Sequence, residues 1–579
     1  MHTRLASWKS KILNKPGRLA LATSVLSSIP AYYMQISWLP ESIWDSIDQT
    51  TRNFIWLGPN DKGIHLVGWK KIAKPKNNGG LGIRSTRDAN ICLLGKLVWD
   101  LIQKNDKLWV HMLSNKYSSG ADIFTATSSS SSSAIWASIM RAKNVLANGY
   151  SWRAGPGSSS FWFSRWSELG CLGAQTPIID IHDLHLSVKD VLSINGNRTQ
   201  ALYTTLPQQV TDFINKASFL FNDAVNDVFI WPHNKNGVYT TKSGYKWLLS
   251  QSGSANDSNH SWSWIWRLKI PEKYKFLIWL PCNNAIPTLT VLNHRNISPS
   301  STCSRCGLHD ETFFLCMRDC SFSRNIWHHI GFNGRGFYET ESVADWHKEG
   351  TKGTPDATFA SGLWWVWMCR NAMSINNEQM TVHRVAASIW NSSEDIKLSF
   401  PSSSDVQLDR YIRWNNNNFD GNILNVDGSC IGTPSRAGFG GLIRNNSGYY
   451  IAGFSGYRPT SSDILQAELT AIYQGLTMAK DMGIDDLTCY SDSLLAINTI
   501  KEAPSNYHVY VVLIHEIKVL LFQTNVSLHH TLCEANQCAY FLAKLGASSD
   551  DTLLAHPQPP DDLRPLLTSD ALGTLFLRS

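Results

Sequence analysis

An aspartate sits near the end of the apolar run Ile423-Leu-Asn-Val-Asp-Gly-Ser429, and another closes Leu487-Thr-Cys-Tyr-Ser-Asp492. Between them lie a glycine-rich strand-like segment, Ala437–Arg444, a third strand-like segment ending near Tyr457, and a helix-like segment from Asp463 that carries Glu468 in its first turns. If the strands share a sheet, carboxylates on the first strand, the helix and the end of the fourth strand converge on one point. Convergent hard oxygen ligands bind Mg²⁺. Two such ions activate a water and steady the leaving oxygen of a phosphodiester. A single aspartate after an apolar strand more often only caps a turn. The constraint comes from the ordered set Asp427, Glu468 and Asp492.

The local residues add to the order: NVDGS around Asp427, QAELTAI around Glu468 and YSDS around Asp492. Together they resemble type 1 ribonuclease H. The resemblance implies an α/β domain over residues 420–548, with a mixed five-stranded sheet flanked by helices. Strands are expected near 423–429, 437–444, 449–456, 486–491 and 525–530. It further implies endonucleolytic hydrolysis of the RNA strand of an RNA–DNA hybrid, with Mg²⁺ or Mn²⁺ as cofactor. Asp427 would bridge two ions, and Glu468 and Asp492 would each support one.

The family's last carboxylate should close the stretch His530-Thr-Leu-Cys-Glu-Ala-Asn-Gln-Cys-Ala-Tyr540. Glu534, Asn536 and Ala539 keep the family pattern, Cys533 stands where arginine is usual, and Tyr540 replaces the aspartate. A phenol with a pKa near 10 is a poor ligand for Mg²⁺, so weak activity is expected. His530 matches a family histidine that helps product leave; a half-buried polar residue at a strand end is the competing reading.

With 579 residues, the chain is too long for one core, and its 43% hydrophobic and 17% charged content suits a globular, multidomain protein. Its 24 tryptophans all precede the ribonuclease-like segment, where packing is their default role. Net charge is +6, but residues 1–117 hold 17 Lys or Arg against 7 Asp or Glu, a footprint suited to a polyanion. Twelve cysteines over this length do not suggest a disulfide scaffold. No signal peptide and no membrane-spanning apolar run are visible. A soluble protein in a reducing intracellular compartment is expected, the nucleus being one candidate.

Residues 1–117 read as helical, and LASWKSKILNKPGRLALATSVLSSIPAYYMQ, FIWLG and LVGWKKIAKPKNNGGLGIRS resemble the segment after the polymerase palm in plant non-LTR retrotransposon reverse transcriptases. On that resemblance Met1 lies inside an ancestral reading frame. No aspartate pair has the Tyr-x-Asp-Asp context of a polymerase: Asp485-Asp486 lies in the ribonuclease-like part, and Asp550-Asp551 and Asp561-Asp562 follow it. DNA synthesis is not expected. Residues 118–255 read as a linker, with a serine run at 128–133, and a small Trp/Gly-rich module.

Residues 256–330 resemble the reverse-transcriptase zinc-binding domain of the same elements, with Cys303-Ser-Arg-Cys306, Glu311 and Cys320. A C-x2-C pair is half of a zinc site. Leu315 stands in place of the family histidine, with Cys316 and His309 nearby. Zinc on Cys303, Cys306, Cys320 and a substitute ligand is one reading; a decayed site without metal is the other. Residues 331–419 read as a helical connector ending in a polar hinge, Asn415–Asn418, and residues 549–579 as a poorly ordered tail. Two other readings compete with the nuclease: a catalytically dead nucleic acid-binding remnant of a retrotransposon, and a pseudogene product with no maintained role.

Overall fold

The Ile/Val/Leu-rich runs of the C-terminal part pair into one sheet in the computed structural model. The structure describes residues 13–57, 63–118, 123–192, 202–216, 219–251, 262–352, 356–400, 411–415, 419–432, 434–458, 463–484, 486–502 and 504–578. The hinge predicted at Asn415–Asn418 lies outside these residues except for Asn415. Chain contacts define two units. One comprises residues 1–101, 106–145 and 241–405, the other residues 102–105, 146–240 and 406–579.

The first unit is helical. Helices such as Glu41–Trp56, Glu272–Cys282, Ser321–His329, Asp356–Asn376 and Val382–Ser399 share one core. Tryptophans fill it: Trp279, Trp327 and Trp346 are fully buried. Two of their indole N–H groups are satisfied by backbone carbonyls, Trp279 by Gly79 at 2.9 Å and Trp327 by Met317 at 2.7 Å. A buried indole that keeps a partner costs nothing for its polar edge.

In the second unit the strands are β1 (Asn422–Ile431), β2 (Arg436–Arg444) and β3 (Tyr450–Arg458). Helix α1 (Ile464–Asp481), β4 (Leu487–Ser491), α2 (Leu494–Lys501) and α3 (Val511–Thr524) follow. Then come β5 (Ser527–His530), α4 (Gln537–Ser548), β6 (Leu554–His556) and α5 (Arg564–Ala571). The sheet order is β5-β4-β1-β2-β3-β6. β1, β2, β3 and β6 pair antiparallel, while β1, β4 and β5 pair parallel. The five expected strands are present, and the short β6 adds a sixth at the β3 edge.

Side-chain alternation fixes the two faces. Leu424 and Val426 of β1 join Leu469, Ile472 and Leu476 of α1 and Ile514 and Ile517 of α3 in one core. On the opposite face Leu442 of β2 packs with Cys538, Ala539 and Leu542 of α4. The segment expected to be a poorly ordered tail completes that second face. Leu563 and Leu567 enter the same cluster, and Phe576–Leu577 pairs with Tyr411–Ile412. Those apolar residues have sequence-distant partners, which a local reading of a Pro- and Asp-rich segment could not supply. Asp570 of α5 makes a buried ion pair with Arg444 of β2 at 2.8 Å.

Residues 146–240 pack within this same unit. A ribbon pairs Ser151–Arg153 with Val228–Ile230, above a core that includes Phe161, Trp162 and Trp166. Asp227 accepts from the backbone N–H groups of Gly155, Gly157 and Ser159 at 2.7, 3.0 and 3.0 Å, which explains the clustered glycines as a wrapped turn. This module grips the connector before α3. Arg153 donates to the carbonyls of Asn506 and His508 at 2.6 and 3.2 Å, and Asn222 donates to Glu516 at 2.7 Å. Gly237, at φ +66°, lies so close that a Cβ there would sit 1.6 Å from the Tyr507 carbonyl. Gly237→Ala should therefore lift the ribbon turn off the connector and cost about 1–3 kcal/mol. Faster hydrogen exchange is expected at Val509, whose N–H donates to Lys235 at 3.3 Å; an unchanged rate would contradict this.

No helix among the described residues is long and apolar enough to cross a membrane.

Candidate active site

Asp427 lies on β1, opposite Gly440 of β2, and Asp492 directly follows β4, the parallel neighbour of β1. Glu468 is reached because α1 comes close to β1. A Cβ on Gly428 would stand 2.5 Å from the Glu468 backbone nitrogen, so only glycine permits this approach. The start of α1 is fixed by Asp463, which accepts from Leu465 N–H at 3.1 Å and from the Tyr510 hydroxyl at 2.6 Å.

The three carboxylates converge: one oxygen from each lies within 4.8 Å of the others. Asp427 and Glu468 are 3% and 6% exposed. Asp427 Oδ2, Glu468 Oε2 and Asp492 Oδ1 are buried without a hydrogen-bond partner. Burial first, and then the Glu468 and Asp492 charges, push the Asp427 carboxyl up to about 10. Burial and the Asp492 charge push Glu468 up to about 8. Among the described residues no Lys or Arg pairs with any of the three. Buried like charges with unsatisfied oxygens are unfavourable without a cation, so the donor set fits a hard divalent ion.

A polar network holds β1 beneath the site. Asn536 donates to the Val426 carbonyl at 3.0 Å and accepts from Asn425 at 3.1 Å. Asn425 Oδ1 accepts from Trp414 at 3.0 Å and from Arg444 at 2.9 Å. Sequence reasoning assigned no role to Asn425, Arg444, Trp414 or Asp570. A polar residue in an apolar strand, as at Asn425, was the available signal.

His530 ends β5, is exposed, and places Nε2 3.2 Å from the backbone carbonyl of Asp492; it is outside the carboxylate group itself. Tyr540 is 51% exposed on α4. Cys533 hydrogen-bonds the Asp492 side chain; partial burial, followed by that bond, pushes its thiol up to about 12. A cavity of about 180 Å³ adjoins the site, lined in part by Trp414, Asn425, Tyr490 and His530.

In the helical unit, the sulfurs of Cys303, Cys306 and Cys320 also lie within 4.8 Å of one another. The Cys320 side chain, then the N–H groups of Cys306 and Arg305, hold the Cys303 thiol down to about 4. Cys320 is shifted upward by the same hydrogen bond with Cys303. Neither suggested substitute joins the group. His309 is exposed and uses its carbonyl to accept from Cys303 N–H at 2.9 Å. The Cys316 thiol is fully buried and faces Arg305 at 3.7 Å. Glu311, fully buried, is committed to Arg370 at 2.5 Å and to Leu289 N–H at 2.8 Å.

Residues 425–546 match the family described as reverse transcriptase-like. They form a reverse transcriptase-like domain. Residues 239–327 match the family described as zinc-binding in reverse transcriptase. The reverse transcriptase-like match thus spans all three carboxylates, and the zinc-binding match spans all three cysteines. The whole chain is similar to a protein of Arabidopsis thaliana named as a candidate ribonuclease H, at 27% identity over 603 residues, covering 99% of this chain and 95% of the relative. A ribonuclease H of Chlorobium limicola is 37% identical over 77 residues, 13% of this chain and 49% of that protein. Among solved structures, RNase H1 of Halobacterium salinarum aligns at 22% identity over 22% of this chain and 96% of its own, with a TM-score of 0.20.

Proposed function

We propose that the reverse transcriptase-like domain is a ribonuclease H-type endonuclease that hydrolyses the RNA strand of RNA–DNA hybrids. The convergence of three buried carboxylates, each with an orphaned oxygen, carries this reading. Asp427, Glu468 and Asp492 would hold Mg²⁺ or Mn²⁺. Bound divalent ions supply an activated water and stabilise the leaving oxygen. Asn536 holds the strand that presents Asp427, and His530, beside the Asp492 backbone, would assist product departure. Contacts to 2′-hydroxyls would select the RNA strand. The basic balance of residues 1–117 suits a nucleic acid partner. The zinc-binding domain would hold Zn²⁺ through Cys303, Cys306 and Cys320.

Tyr540 favours a second reading, a catalytically silent nucleic acid-binding protein, because its phenol replaces a fourth carboxylate. A labelled hybrid with purified protein, tested in Mg²⁺ and in Mn²⁺, separates the two. Weak cleavage is expected, and Tyr540→Asp should raise it roughly tenfold, equivalent to about 1.4 kcal/mol of transition-state stabilisation. The same rate with and without the added carboxylate would argue against a weakened metal site.

A further inference from the structure

The cavity of about 180 Å³ beside the carboxylates has walls that metal binding does not account for. Its deeply buried lining is Trp414, Ile423 and Tyr490, which pack in one cluster, while His530 and Thr531 line it nearer to solvent. Ile412, Trp414 and Ile423 all precede the reverse transcriptase-like match, which begins at residue 425. Tyr411–Ile412 is held by Phe576–Leu577 from the far end of the chain, so both flanks of the domain build this wall. Trp414 is fixed by its bond to Asn425 at 3.0 Å and by the Arg444 guanidinium, 4.1 Å over its ring. Thr531 is fixed through its N–H, which donates to the Ser491 carbonyl at 3.0 Å. A cavity held this way needs little ordering to receive a ligand.

Its place and its chemistry limit what that ligand is. Asn425 also lines the cavity, and it shares a face of β1 with Asp427, two residues or about 6.5 Å along the strand. His530 belongs to the lining and stands 3.2 Å from the Asp492 carbonyl. A group in the cavity therefore sits beside a phosphodiester held at the carboxylates, not on it. An apolar cavity of about 150 Å³ admits benzene, so this one takes a single ring system. Aromatic and aliphatic side chains suit the faces of a flat ring. The Thr531 hydroxyl and His530 Nδ1, without partners among the described residues, suit a hydrogen-bonding edge. A flat ring with such an edge is a nucleobase.

We propose that this cavity receives one unpaired nucleobase of the bound hybrid, next to the phosphodiester that is cut. The proposal rests on the ribonuclease reading. Drawing a paired base out of a duplex costs at least as much as one stacking contact returns. The occupant is therefore a base that is already unpaired, at a bulge, a mismatch or a strand end. The domain selects hybrids that carry such a base beside the cut.

The test measures binding by the full-length Asp427→Asn chain in Mg²⁺, so that cleavage does not interfere. Two hybrids are compared, one fully paired and one with a single bulged 2-aminopurine in its RNA strand. The bulged hybrid should bind roughly tenfold tighter, and its 2-aminopurine emission should be quenched relative to the free hybrid. Ile412→Trp fills the cavity from the flanking wall and should remove both the preference and the quenching. In the native chain, cleavage should concentrate within one nucleotide of the bulge. Equal affinity for the two hybrids with unquenched emission would overturn the base site and leave the ribonuclease reading intact. Binding of adenosine monophosphate that Ile412→Trp abolishes, with no preference between the hybrids, would overturn it in favour of a free nucleotide. No binding of either hybrid would overturn both readings. The two-hybrid comparison on one chain decides the matter even if Ile412→Trp does not fold.

Discussion

Asp427→Asn abolishes hybrid cleavage and, with divalent cations chelated, raises the thermal midpoint: both results are expected from one cluster. The carboxylate lies within 4.8 Å of those of Glu468 and Asp492, and loss of its charge removes the ligand that would be shared by both ions. Its gain in stability follows from linkage. An ordinary aspartic acid titrates near 3.8, whereas burial and the neighbouring charges push this one up to about 10. Between those values the folded state holds a proton that the unfolded state has released. Stability is therefore fully present below about pH 4 and falls as pH rises toward the folded value. Glu468, pushed up to about 8, adds the same sign over a narrower window. The cost at neutral pH is on the order of a few kcal/mol. Asparagine removes the Asp427 part, so its melting temperature should exceed the native value in chelator, and the gap should widen from pH 5 to 8. Mg²⁺ should stabilise the native chain and release protons at pH 7, with both effects reduced in the variant. Persisting cleavage, or a variant less stable than the native chain in chelator, would sink the metal-site reading.

Asp570→Ala should destabilise the C-terminal domain by about 3–5 kcal/mol, the usual cost of stripping a buried ion of its partner. Arg444 is fully buried, and Asp570 is its only carboxylate partner among the described residues. Arg444 also donates to Asn425 at 2.9 Å and to the Cys538 sulfur at 3.7 Å, and lies over the Trp414 ring at 4.1 Å. Alanine would leave a positive charge inside the α4 face. Denaturant unfolding followed on the C-terminal unit measures the loss. The combined change Arg444→Met and Asp570→Leu should recover much of it, since apolar replacement of a buried pair is often neutral. A fragment ended near residue 548 should show the same defect although it spans the whole reverse transcriptase-like match. Native-like stability of that fragment would mean that the pair contributes little.

The three carboxylates were readable because each sits in a distinct local context: the end of an apolar run, the first turns of a helix and the end of a second strand. Side-chain period then carries them to one place. The sheet was readable for the same reason. Arg444 and Asp570 were not, because the pair spans 126 residues and neither side carries a periodic signal. Asn425 is a polar residue within an apolar run, and only its hydrogen bonds with Arg444 and Asn536 give it a purpose. The glycines of Ala154–Ser159 marked a turn but not its organiser, Asp227, which lies 68–72 residues away. Tyr540 and Cys533 were visible as departures from the family pattern, and the fold adds that Cys533 touches Asp492.

The Arg444–Asp570 pair also sets a clock. A ribosome adds about 5–20 residues each second, so the 126-residue separation makes the arginine wait roughly 6–25 s for its partner. Strands β1 to β3 emerge first, with an unmatched cation on the face that α4 must cover. The nascent sheet cannot settle that face until α5 has left the exit tunnel. Translation pauses in the stretch encoding residues 549–570 would therefore prolong a half-closed intermediate, the state in which chaperones and proteases compete for the chain.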